Sequence, residues 1–288
     1  MISMRLSDHL PEVEEIVERA LDEDLAGGDI TTDPLIQAHT HGRASLVARA
    51  KGTIAGTEIA GLVFTTIDPF LKFSALISDG SEVGPGDVIA TVEGSVPAIL
   101  KGERTALNFL QHMSGIATLT AVYVRAVSGL PARILDTRKT VPGLRILEKY
   151  AVSAGGGTNH RMNLGDMVLI KDNHIAMLRR QGLGIGDIVR QARDKTPRHI
   201  KIEIETTCAA DAREAALAGA DVVMLDNMGL DEMRKAVALI NRKTIVEASG
   251  GVNLDNIRAV AETGVDWISV GALTHSAKAL DISLELTA

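Results

Sequence analysis

A single cysteine, Cys208, stands in a chain of 288 residues. One thiol excludes an intramolecular disulfide and any thiolate zinc site built by this chain alone, so it reads as a small buried hydrophobe. Aromatic residues make up only 2% of the chain and the net charge is -7, which leaves neither the stacking platforms nor the basic face that a nucleic acid requires. No apolar run approaches the roughly 18 to 20 residues that span a bilayer. The opening stretch MISMRLSDHLPEVEE turns acidic where a signal peptide is apolar, so the expected setting is the cytoplasm.

What is present suits a globular enzyme. Hydrophobic residues form 45% of the chain, enough for one large core or two of ordinary size. From Leu10 to Leu25, Val13, Ile16, Val17, Ala20 and Leu21 recur at helical spacing, with Pro11 in the first turn and Gly27-Gly28 ending the pattern. Between Gly42 and Glu93, short β-branched or alternating runs (Arg43 to Ala50, Leu71 to Ile77, Asp87 to Val92) are separated by turns and predict a small antiparallel region. A long helical segment follows from about Lys101 to Val127, with an interruption near Ser114-Gly115.

After Pro131 the rhythm becomes strand then helix. Strands are expected at 132–135, 168–170, 200–205, 221–225, 244–248 and 267–270, with helices of 10 to 12 residues between the later ones. Polar or glycine residues close successive strands: Arg138 and Lys139, Lys171, Glu203 and Glu205, Asp226, Ser249-Gly250-Gly251 and Gly271. That is the rim on which barrel enzymes assemble their sites, so an open, TIM-like parallel α/β barrel of about seven strands is expected behind an N-terminal α+β domain. A doubly wound sheet would concentrate its glycines after the first strand. The expected partition is an N-terminal domain over 1–115, the barrel over 116–275, and a C-terminal helix over 276–288 packing back on the first domain.

The stretch from Leu135 to Ile175 gathers cations between tight turns in an otherwise acidic protein: Arg138 and Lys139, then Gly155 to Gly157, then Asn159-His160-Arg161, then Lys171-Asp172-Asn173-His174. Arginine forks match carboxylates bidentately, whereas lysines serve as compact charges for phosphates, so the mixture points to ligands carrying both. For any one of these residues a surface ion pair is the commoner explanation; the cluster is harder to dismiss. Glu205 and Asp226 close adjacent strands, where carboxylates suit a Mg²⁺ shared with substrate phosphates, ribose hydroxyls, or an ion pair with Lys139 or Lys171. The glycine turns at Ser249-Gly250-Gly251 and Gly271-Ala272 fit backbone N–H donors aimed at a phosphate, with helix N-termini behind them.

The central string closely resembles the quinolinate phosphoribosyltransferases. So do Glu23-Asp24-Leu25 with Gly28-Asp29-Ile30-Thr31-Thr32, Glu103-Arg104-Thr105 through Ser114-Gly115-Ile116-Ala117-Thr118, and Leu225-Asp226-Asn227, in that order and across nearly the whole chain. The resemblance implies transfer of phosphoribosyl from phosphoribosyl pyrophosphate to quinolinate with decarboxylation, giving nicotinate mononucleotide. It implies that Arg138, His160 and Arg161 hold the quinolinate carboxylates, with Thr137 in the same string. Lys139 and Lys171 would lie where the substrates meet, and Glu205 and Asp226 would face the ribose and Mg²⁺. Ser249, Gly250, Gly251 and Gly271 would receive phosphate, His275 would contact phosphate or stand behind it, and Arg104 would be supplied by a partner subunit of a homodimer or higher oligomer.

The resemblance also carries a departure from other phosphoribosyltransferases, many of which bind the donor with paired acids followed by a Thr- and Gly-rich loop. Val222 to Gly229, VVMLDNMG, is not that loop, and the barrel-type quinolinate enzymes lack it too. Three other readings stay open from sequence: a molybdenum-transport-associated homologue of the same fold, a barrel enzyme acting on another sugar phosphate, and a non-catalytic anion-binding protein.

Overall fold

The computed structural model describes residues 6–287. The chain divides into two compact units: one takes the chain up to Val122, then Thr140–Gly157, then the chain from Leu273 on; the other takes Tyr123–Lys139 and Thr158–Ala272. This differs from the expected linear partition, because the helix Arg145–Ala154 belongs with the N-terminal elements. The helix presents Ile146, Leu147, Ala151 and Val152 as one buried face, and the glycines after it pack against the long helix of its own unit. A Cβ on Gly155 would lie 2.4 Å from the Ala117 carbonyl.

The first unit holds β1 (His41–Ala48), β2 (Gly52–Thr53), β3 (Lys72–Ala75), β4 (Glu82–Val83), β5 (Val88–Ser95) and, from the far end of the chain, β12 (Ile282–Thr287). Its main sheet has the order β12-β1-β5-β3, antiparallel throughout, while β2 pairs with β4. The expected C-terminal helix over 276–288 is corrected here. Ile282, Leu284 and Leu286 alternate with polar neighbours, a period of two, and β12 pairs with β1 from Arg43 opposite Thr287 to Ala48 opposite Ile282.

Two further elements depart from expectation. The segment Thr57–Ile67, expected within a β region, is a helix. Its N-terminus is tied by a carboxylate from far along the chain: Asp79 accepts from the Gly56 N–H at 2.7 Å, the Thr57 N–H at 3.2 Å and the Thr57 hydroxyl at 2.8 Å. The long helix runs unbroken from Val96 to Ala126 through Ser114-Gly115. Gly115 is small because another segment crosses it: a Cβ there would lie 2.2 Å from the Lys278 carbonyl oxygen. Ser114 turns inward and bonds the backbone of Ala55, receiving its N–H at 3.0 Å and donating to its carbonyl at 3.2 Å.

The second unit carries β6 (Arg133–Leu135), β7 (Val168–Ile170), β8 (Ile202–Thr206), β9 (Val222–Asp226), β10 (Ile245–Ser249) and β11 (Trp267–Ser269). Among the described residues these six form one parallel sheet, ordered β6-β11-β10-β9-β8-β7. A seventh position is marked only by a single parallel bridge from Thr158 to Leu135. In a flat sheet, β8 and β10 would stand about 9–10 Å apart across β9. Carboxylate atoms from the two nevertheless lie within 4.8 Å of each other and of His160, which enters from beyond β6. The sheet therefore curls into an open barrel, with helices such as Ala209–Leu217 and Leu230–Ile240 between its strands.

Candidate active site

Curling brings the C-terminal ends of the strands around one cavity of about 500 Å³. Its wall follows the pleat: Leu169 and Lys171, Met224 and Asp226, Glu247 and Ser249 each lie two residues apart and face the same space. The chain after β6 contributes Asp136, Thr137, Arg138 and Lys139, the chain after the Thr158 bridge contributes His160 and Arg161, and Glu205, Asn227, Gly250, Gly251 and Ser269 complete much of the rest.

The cations gather on one flank. Arg161 is anchored by a hydrogen bond from its guanidinium to the Met167 carbonyl at 3.0 Å. Burial, and then the like charge of Arg138, hold its pKa below the usual guanidinium value. Two repelling guanidiniums in one wall are relieved by an anion between them. Lys171 sits at the start of the helix Asp172–Arg179; its N–H donates to His174 Nδ1 at 2.9 Å, and its ammonium meets Glu205 at 3.0 Å. The other Glu205 oxygen accepts from the Asp172 N–H at 3.0 Å, so the ion pair foreseen as an alternative for Glu205 is formed.

Ser249 and its glycines make a loop of backbone donors whose shape is set by Asn227. That residue adopts φ 52° and donates its N–H to the Ser249 carbonyl at 2.9 Å. Gly250 has φ +89°, and a Cβ there would lie 2.3 Å from the Asn227 side-chain oxygen, so only glycine fits. The expected helix N-terminus is not directly behind this loop. Asn253 and Asn256 hold each other's backbone N–H groups in a turn, and the next helix begins only at Ile257 and is five residues long.

Beneath the cations lies a polar floor that strand-end reasoning undervalued. Glu203 and Glu247, both fully buried, pair with His160 Nε2 at 3.0 and 3.4 Å. Burial pushes the imidazole down, but its bonds to the two carboxylates outweigh this and raise its pKa from 6.5 to about 10. Burial and the Glu247 charge push Glu203 up to about 7. Asp136, also buried, accepts from the His160 N–H at 2.8 Å and the Asn159 amide at 2.6 Å. The strand-end pattern includes Glu203 but reaches neither Glu247, in the middle of its strand, nor Asp136. The available signal was an ionisable residue inside an apolar strand, as in Ile245-Val246-Glu247-Ala248.

The expected site residues thus fall into two groups. Thr137, Arg138, Lys139, His160, Arg161, Lys171, Glu205, Asp226, Ser249, Gly250 and Gly251 line the cavity. Gly271 is not among its lining residues. Arg104, exposed on the long helix, and His275, whose Nδ1 lies 2.7 Å from the Ser276 hydroxyl, belong to the first unit. Cys208 is partly exposed rather than buried and precedes the helix Ala209–Leu217.

Parallel strands curled around a rim of arginines, lysines, carboxylates and glycine turns define an α/β-barrel enzyme for small anionic substrates. Comparison with known proteins narrows this. Residues 29–114 match the N-terminal domain of quinolinate phosphoribosyl transferase and residues 116–285 its C-terminal domain. The probable nicotinate-nucleotide pyrophosphorylase [carboxylating] of Synechocystis is 43% identical over 274 residues, 94% of this chain and 91% of that protein. The corresponding Mycobacterium leprae protein is 42% identical over 94% of this chain and 96% of its own. The crystal structure of NadC from Streptococcus pyogenes superposes with a TM-score of 0.91 at 41% identity, covering 96% of each chain. The chain belongs to the quinolinate phosphoribosyltransferase family.

Proposed function

We infer that this protein transfers the phosphoribosyl group of phosphoribosyl pyrophosphate to quinolinate, releasing pyrophosphate and CO₂ and forming nicotinate mononucleotide, a step of NAD biosynthesis. The observation that carries this reading is the pairing of Arg138 with Arg161 in one cavity wall, beside Lys139 and Lys171. Two planar forks suit the adjacent carboxylates of a pyridine diacid, and the lysines suit a phosphate-bearing partner.

The residues divide the work by charge. Arg138 and Arg161, with the His160 cation, hold the diacid so that its ring nitrogen faces the anomeric carbon. Loss of pyrophosphate leaves an oxocarbenium-like ribose; Lys139 and Lys171 stabilise the departing anion, while Glu205 and Asp226 face the positive sugar. The nitrogen lone pair forms the new bond and the ring becomes cationic. The C–C bond to the neighbouring carboxylate then breaks as CO₂, and the electron pair left on the ring takes up a proton. A unit charge pair at 4 Å and an effective dielectric of 20 amounts to about 4 kcal/mol, so a few such contacts exceed what one proton transfer contributes.

The donor set near the ribose fits Mg²⁺. Asp226 offers hard carboxylate oxygen at the rim, with one oxygen receiving the Asn227 amide at 3.0 Å, and Glu205 is already bridged to Lys171. Asp226 would be the main protein contact for such an ion and Glu205 the secondary one. When bound, the ion offsets charge on the leaving pyrophosphate. The site is completed across a homo-oligomer, with Arg104 reaching a neighbour's cavity, and the cytoplasm is its setting. Among the described residues, no helix is long and apolar enough to cross a membrane.

Incubation with quinolinate, phosphoribosyl pyrophosphate and Mg²⁺ tests the assignment, with nicotinate as the control acceptor. Nicotinate mononucleotide with matching CO₂ and pyrophosphate, from quinolinate alone, is the expected result. Product from nicotinate and none from quinolinate would overturn it.

A further inference from the structure

The reaction as described gives no task to Glu203 or Glu247. Both are fully buried within strands, and both reach the same atom, Nε2 of His160. The Ser269 hydroxyl donates to the other Glu247 oxygen at 2.5 Å, which fixes that carboxylate from β11. The His160 backbone is fixed separately, through its N–H bond to Asp136. Ring and backbone are therefore each held, by groups from four different segments.

Apolar side chains would fill a barrel interior at less cost than two carboxylates side by side. What carboxylates do here, and apolar groups would not, is keep the imidazole charged against its surroundings. Burial opposes the charge, and two further cations stand in the same wall: Arg161, the next residue, and Arg138. A histidine beside two guanidiniums would otherwise be neutral at physiological pH. The facing groups are Glu203 from β8, Glu247 from β10, Asp136 after β6, and these two arginines.

Resting on the quinolinate reading, we propose that Glu203 and Glu247 are positioning residues acting through His160: they hold its ring as a permanent cation in the diacid pocket and so set the affinity for quinolinate. The donor side of the reaction is outside their reach. Their loss raises KM for quinolinate and leaves KM for phosphoribosyl pyrophosphate nearly unchanged.

Glu247→Gln keeps the shape and removes one charge, and it is tested in the full-length protein. The His160 imidazole signals are followed by nitrogen-15 NMR, assigned by their absence in His160→Gln. In the wild type they stay in the protonated form between about pH 6 and about pH 8.5. In Glu247→Gln they move to the neutral form within that range, and KM for quinolinate rises about tenfold across it. A folded Glu247→Gln protein with unmoved imidazole signals and unchanged KM for quinolinate overturns the proposal. If that variant does not fold, Ser269→Ala, which removes only the hydroxyl held by Glu247, and Glu203→Gln are read in the same way. Imidazole signals that move as described in a protein making no product from quinolinate would uphold the charge-holding role and overturn the quinolinate reading.

Discussion

Arg138 and His160 show two different uses of a positive side chain. Arg138 is partly exposed in a loop after β6, outside the apolar strand interiors. Arg138→Ala is therefore predicted to lower kcat/KM for quinolinate by about a hundredfold or more while the melting temperature stays close to that of the wild type. Steady-state kinetics beside thermal melting check both halves. His160 is different, since its charge is tied to folding. Its pKa is raised from 6.5 to about 10, so the stabilisation it supplies is fully present below pH 6.5 and is lost as pH rises toward 10. Melting temperature should fall across that window in the wild type, and this component should be missing in His160→Gln.

At the scale of elements, glycines mark where segments touch. Gly115→Ala would gain about 1 kcal/mol of helix propensity, but the new methyl meets the Lys278 carbonyl, part of a backbone that cannot step aside. Overpacking of that kind costs about 1–3 kcal/mol, so the variant is predicted to be less stable in urea unfolding. Gly250→Ala combines a left-handed backbone with a collision at Asn227. It should weaken phosphoribosyl pyrophosphate binding more than quinolinate binding, as separate KM values would reveal. The helix Thr57–Ile67 was not legible because its cap, Asp79, lies far off in sequence and its own residues are β-branched enough to read as strand. The helix Leu10–Leu25 was legible because its stripe of Val13, Ile16, Val17 and Leu21 is local and complete.

For the whole molecule, the open question is assembly. Arg104→Ala mixed with Lys171→Ala is predicted to regain part of the activity that each lacks, through mixed oligomers with one intact site. Assaying the mixture after verified subunit exchange decides it, and no recovery would confine each site to one chain. The two units also explain why a linear partition was too simple. The chain leaves the barrel at Lys139 and re-enters it at Thr158. No composition shift marks that excursion, because its helix is amphipathic like any other.

The sequence by itself determined the six parallel strands between Pro131 and Gly271 with the helices that separate the later ones, the polar residues at successive strand ends, and the cationic stretch from Arg138 to Lys171. These follow from local periodicity and from residue type. Only the tertiary structure decided that the last segment is a strand on β1, that Lys171 answers Glu205, and that Glu203 and Glu247 share His160. Those outcomes depend on sheet curvature and long-range register, which bring together residues whose spacing along the chain carries no trace of their meeting.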